Sequence, residues 1–115
     1  MHIKKYKQRC EKRSLPKFKG ICKTYGDLMY RAADWLSEQN DIVSVETNVP
    51  ITVPAGEYTT NFFCVMADGT YKAYECSYRS VFFRPKNLAL FNESMKYWGN
   101  RGIKWGIFID AVPEE

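Results

Sequence analysis

Two periods of apolar recurrence divide the chain. From Leu28 the apolar residues Leu28, Ala32, Trp35 and Leu36 return every three or four positions within LMYRAADWLSEQ, the repeat of a helix with one buried face. Thr24 or Asp27 is placed to cap it, and the polar group Gln39, Asn40, Asp41 ends it. The period then drops to two. IVSVETNVPITV, residues 42–53, alternates and is rich in β-branched side chains, which predicts a strand. Pro50 and Pro54 put the far end of that strand at a sheet edge or bend it away. Beyond the turn Pro54-Ala55-Gly56, two strand-like runs, 57–67 and 70–83, flank Asp68-Gly69, a strong signal for an antiparallel hairpin. Arg84-Pro85-Lys86-Asn87 breaks the second run. NLALFNESMKYWGNRG then sets Leu88, Phe91, Met95 and Trp98 along one helical stripe ended by Gly99 or Gly102, and IKWGIFID reads as a last strand.

The resulting order, α-β-β-β-α-β, predicts a mixed α/β (α+β) fold in which one mixed β-sheet carries a helix on each face. A helix between the third and fourth strands makes a parallel pairing the expected closure, because such a crossover is the usual way to join parallel strands. At 115 residues the chain has room for one core. No run of eighteen apolar residues occurs, and the basic start MHIKKYKQRCEKR has no apolar segment behind it; the expectation is a soluble, cytoplasmic protein without membrane contact. In that compartment Cys10, Cys22, Cys64 and Cys76 are expected as free thiols. Their spacing contains no C-x-x-C pair, and the single histidine, His2, is terminal, which disfavours a zinc site.

Charge splits the chain further. Residues 1–24 hold nine basic side chains, Lys4, Lys5, Lys7, Arg9, Lys12, Arg13, Lys17, Lys19 and Lys23, against the single acid Glu11, whereas the other 91 residues carry a net −4. Residues 1–23 therefore read as a basic arm and 24–115 as the folded body, and contact with a polyanion is assigned to the arm. A solvated tail that only aids solubility is the plainer account of the same charges.

The helix YGDLMYRAADWL, the strand IVSVETNVPI, the hairpin YTTNFFCVMADGTYKAYECS and the closing MKYWGNRGIKWGIFID, with SLPKFKG in the arm, together resemble the N-terminal catalytic domain of TnsA-type transposon endonucleases, a PD-(D/E)XK nuclease fold found also in short phage-encoded proteins. The resemblance implies a restriction-endonuclease-like core and a four-residue site: a carboxylate on the first helix, an aspartate on the hairpin's first strand, and an acid followed two residues later by a lysine on its second. In such a site the carboxylates hold Mg²⁺ and the lysine orients water. The corresponding positions here are Tyr30, Asn61 (preceded by Thr60 rather than proline), Glu75 and Ser77. Only Glu75 keeps its residue type. A three-residue hairpin loop that sets Asn61 opposite Ser77 and Phe63 opposite Glu75 gathers Asn61, Glu75 and Ser77 on one face; a two-residue turn sets Asn61 opposite Cys76 and breaks the group.

One formal negative charge is too little for a hard divalent cation. The expectation is accordingly a nuclease-like protein of phage or mobile-element origin that binds rather than cleaves and needs no cofactor. Its partner is DNA, through the arm, or a phage or host protein, through the sheet and helix faces, as a virion component or an inhibitor; its location is then the host cytoplasm or the virion, and self-association is open. The alternative is a divergent Mg²⁺-dependent endonuclease that uses Glu75 with Asp27 or Asp34, and Lys72 in place of the lost lysine. On the structural side, Glu75 is expected to be hydrogen-bonded or paired with Arg79 or Lys72. Tyr97, Trp98 and Trp105 are either a surface for stacking bases or, for Trp98, core.

Overall fold

The computed structural model describes residues 10–109. Its elements are β1 (Cys10–Arg13), β2 (Cys22–Tyr25), α1 (Asp27–Ser37), β3 (Ile42–Val53), β4 (Gly56–Met66), β5 (Tyr71–Ser77), α2 (Arg79–Phe82), α3 (Pro85–Gly99) and β6 (Lys104–Ile109). The last four strands form one mixed sheet in the order β3-β4-β5-β6, antiparallel except for the parallel pair β5-β6 that the α3 crossover joins. The mixed α/β class with a helix on each face is thus what the chain adopts. Pro50 is tolerated because β3 is an edge strand.

Two apolar layers cover the sheet. Leu28, Met29, Ala32, Ala33 and Leu36 of α1 pack with Val45, Phe62, Cys64 and Phe108 on one face. Trp98 of α3, joined by Leu90 and Tyr97, packs with Ile51, Val53, Tyr58 and Ala73 on the other. Strands β3 and β4 serve both layers, which strict alternation forbids: Val45 faces α1 while Val49, Ile51 and Val53 face α3, and Phe62 and Cys64 face α1 while Tyr58 faces α3. The change of face falls at Asn48 and Asn61. The ladder pairs Val49 with Thr60 and Thr47 with Phe62, with these two asparagines between, and Asn48 has φ +56°, a left-handed conformation that asparagine enters more readily than other side chains.

Several expected boundaries move. Neither Thr24 nor Asp27 caps α1: Gly26 holds the N-cap position at φ 89° without a side-chain bond, while Thr24 lies buried in β2 with its Oγ1 unpartnered. The run 70–83 is strand only to Ser77, because Tyr78 turns the chain into α2. Pro85 begins α3 rather than preventing it, since the first helical position needs no N–H and Arg84 before it is extended. Met95 is exposed and Ser94 takes the inward position between Phe91 and Trp98.

Residues 10–23, the described part of the basic arm, are built into the fold. β1 and β2 pair antiparallel, Cys22 is fully buried against α1, and Leu15 and Phe18 join the same layer. The connecting segment also covers the first half of the β3 edge: Phe18 bridges Val45, the Val45 N–H donates to the Lys17 carbonyl, and the Lys19 N–H donates to the Val45 carbonyl, both at 2.9 Å. No helix among the described residues is long and apolar enough to cross a membrane.

Candidate functional site

Glu75, the acid that matches the nuclease pattern, sits in the middle of β5 and is fully buried. Its neighbour Ala73 faces α3, and so does Glu75. The Tyr58 hydroxyl donates to its Oε1 at 3.1 Å and the Ser94 hydroxyl to its Oε2 at 2.8 Å. Beside this group the Trp98 Nε1–H donates to the Thr60 hydroxyl at 3.0 Å. Each carboxylate oxygen thus has a donor of its own inside the α3 layer, which offsets the cost of burying the charge. Lys72, an expected partner, stands opposite Cys64 on the α1 face.

Asn61 has turned the other way. Its Nδ2–H contacts the Met29 sulfur of α1 at 3.5 Å, and its Oδ1 accepts the Cys76 N–H at 2.9 Å. The last β4–β5 pair in the ladder is Phe62 with Tyr74. The asparagine side chain therefore extends the pairing across the point where the backbone turns over, an accepted substitute for a strand carbonyl. The register follows neither of the two hairpin alternatives. The loop has three residues, Ala67, Asp68 and Gly69, closed by the Met66 N–H donating to the Thr70 carbonyl at 2.8 Å, and this sets Phe63 opposite Ala73 rather than opposite Glu75. Asp68 accepts from the Thr70 N–H and hydroxyl at 3.0 and 2.6 Å, and these bonds hold its carboxyl below the usual value.

Tyr30, at the position of the family's helix carboxylate, lies on α1 across the sheet from the Glu75 carboxylate. Arg13 of β1 covers it: the guanidinium carbon is 3.4 Å from the ring centroid, one nitrogen donates to the Tyr30 carbonyl at 3.0 Å, and another pairs with Asp34 at 2.7 Å. A cation over the ring occupies the place where a metal-binding carboxylate is expected. Asp34 is engaged in that pair, and Asp27, 75% exposed, pairs with Arg31 at 2.7 Å. Ser77 is buried, its hydroxyl donating to the Tyr78 carbonyl at 3.3 Å. The four positions Tyr30, Asn61, Glu75 and Ser77 are therefore divided between two faces of the sheet. Among the described residues no three His, Cys, Asp or Glu side chains are gathered where a metal ion could sit.

The basic side chains fall into groups. Lys4, Lys5, Lys7 and Arg9 lie outside the described residues. Arg13 is turned toward α1 as above, and the Lys17 ammonium donates to the Gln39 carbonyl. Lys12, Lys19 and Lys23 are exposed. Lys12 and Lys23 face each other directly across the β1–β2 ladder, an arrangement of like charges that disfavours the hairpin by itself. Sequence reasoning could not place this pair because it depends on a strand pairing hidden among charged residues.

Of the aromatic residues read as a stacking surface, Trp98 is buried and Trp105 packs on Phe91 with ring centroids 6.2 Å apart. Tyr97 lies under the Arg101 guanidinium at 3.6 Å. The most exposed large apolar side chain among the described residues is Phe83, which sequence reading assigned to a strand; the Pro85 that starts α3 was the available signal that the strand had already ended. Two comparisons bear on the chain as a whole: no model of a known protein family matches it, and no curated protein matches it.

Proposed function

We propose that this chain is a nucleic-acid-binding protein on a restriction-endonuclease-like scaffold of phage or mobile-element type, and that it works by binding DNA rather than by metal-dependent cleavage. The observation that carries the reading is the directly opposed, exposed pair Lys12–Lys23 on a hairpin anchored to the body. Like charges facing each other across a ladder repel, and a phosphate between them turns that repulsion into attraction. Exposed Lys19 lies on the connection between the same strands, and the basic residues 4–9 immediately precede them. The body behind the hairpin carries net negative charge, so the hairpin is the more favourable side for a polyanion.

The order α1-β3-β4-β5-α3-β6 of the body, with the four-residue α2 inserted before α3, supports the nuclease-like scaffold. The hydroxyl partners of Glu75 support binding over cleavage, since both of its oxygens already accept hydrogen bonds in the α3 layer. Equilibrium binding to duplex DNA over a series of salt concentrations tests the reading. The logarithm of affinity should fall with the logarithm of salt by about 0.9 per phosphate contacted, and the double variant Lys12→Glu/Lys23→Glu should lower that slope by about one such contact. Binding that is absent or insensitive to salt refutes the proposal. Plasmid nicking in Mg²⁺ or Mn²⁺ that disappears in Glu75→Gln would instead return the chain to the metal-dependent endonucleases.

A further inference from the structure

The corner between β5 and α3 presents a second surface. The chain leaves the sheet at Ser77, turns through α2 and enters α3 at Pro85. Phe83, within that turn, is 69% exposed. The position is nevertheless rigid: the Arg84 N–H donates to the Val81 carbonyl at 3.2 Å, and the Asn87 side chain donates to the same carbonyl at 2.8 Å. Phe82 stacks on buried Phe91 with centroids 5.7 Å apart and meets the edge of Phe83 at 4.9 Å. One aromatic ring is thus anchored inward so that its neighbour stands outward.

Along the chain, residues 76–92 carry charge of one sign. Arg79, Arg84 and Lys86 are all exposed. No acid occurs in the chain between Glu75, which is buried, and Glu93, which accepts the Ala55 N–H on the far side of α3's first two turns. The corner also adjoins the hairpin. The Tyr78 hydroxyl accepts the Leu28 N–H at 3.4 Å, and Leu28 follows the last residue of β2 by three positions.

We propose that Phe83 is a stacking platform for an unpaired base and that Arg84 and Lys86 hold the phosphates beside it, so that the nucleic acid bound by this protein is single-stranded where it crosses the corner. A projecting ring flanked by cations has its complement in a chain that alternates planar bases with phosphates, and a base inside a duplex has no free face to offer it. An uncharged apolar partner would cover the ring and offer nothing to the exposed Arg84 and Lys86 beside it. The inference rests on the nucleic-acid reading of the hairpin and specifies its ligand.

Fluorescence anisotropy with the full chain tests it, using labelled oligothymidylate of about 16 nucleotides, a duplex carrying the same label, and vesicles containing phosphatidylserine. Phe83→Ala should weaken oligothymidylate binding roughly tenfold or more, Phe83→Trp should preserve it, and duplex affinity should be unchanged in both. Position 83 is exposed, so circular dichroism should show both variants folded. Lys12→Glu/Lys23→Glu should weaken both nucleic acids. If Phe83→Ala leaves oligothymidylate affinity intact while the lysine variant loses it, the stacking platform is refuted and the hairpin reading stands. If the unaltered protein binds neither nucleic acid in a salt-dependent way, both fall. Phe83-dependent binding to vesicles without oligothymidylate binding would make the corner a membrane contact and overturn the inference.

Discussion

The buried Glu75 carboxylate accepts one hydroxyl at each oxygen, Tyr58 at Oε1 and Ser94 at Oε2. Ser94→Ala removes one donor from a fully buried carboxylate and should lower the unfolding free energy by about 1–3 kcal/mol, measured by urea titration. Addition of Mn²⁺ should not restore it. The thiols give a second prediction at this scale. Burial pushes Cys22 up to about 11 and Cys64 up to about 12 from the ordinary 9.0, with Arg13 partly opposing the first and Lys72 the second. Both should resist thiol reagents in the native protein and react once it is unfolded. Because the native state then holds protons that the unfolded chain releases, stability should decline as pH rises from about 9 toward 11, a window followed by thermal unfolding. The position of Glu75 on its strand was legible from alternation. Its partners were not: Phe91, Ser94 and Trp98 share a helical face as well as Phe91, Met95 and Trp98 do, and apolarity favoured Met95 over the serine that actually points inward.

Elements were legible where the period was long and clean. The stripe of α1 and the Asp68-Gly69 signal between β4 and β5 correctly indicated helix and hairpin, because burial on one face imposes a regular repeat. The small hairpin β1–β2 was hidden because its inward residues, Cys22 and Thr24, are separated by a lysine and surrounded by charge. The change of face at Asn48 and Asn61 was hidden for a different reason. Letters continue to alternate through Asn48 while the backbone itself turns over, so a count of periods carries no trace of it. Asn48→Val should test the turnover: a β-branched residue at φ +56° is disfavoured by about 1–2 kcal/mol, and Asn48→Gly should cost less. Both substitutions remove the bond from the Asn48 side chain to the Lys23 carbonyl, 2.9 Å, so the difference between them isolates the backbone cost. At the opposite edge, a Cβ at Gly106 would stand 2.9 Å from the Tyr74 ring. Gly106→Ala should therefore destabilise the β5–β6 pair by about 1–3 kcal/mol, seen as a lower urea midpoint.

For the molecule as a whole, charge and packing are distributed differently. The charge is polarised, with exposed lysines on the hairpin and cations at the α2 corner against an acidic remainder, and the split was visible in the sequence as counts. What counts could not show is that the hairpin is anchored to α1 through Arg13, Asp34 and Tyr30. Arg13→Ala should thus reduce stability and leave the salt dependence of DNA binding almost unchanged, whereas Lys12→Glu should do the reverse; melting and binding curves on the same two variants separate the roles. Packing, by contrast, is shared. Since β3 and β4 each contribute side chains to both layers on either side of Asn48 and Asn61, neither layer can melt without withdrawing residues from the other. The turnover thereby makes two cores into one cooperative unit: the amides of Val45 and Ile51, which flank it on one strand, should exchange with solvent at the same global opening free energy.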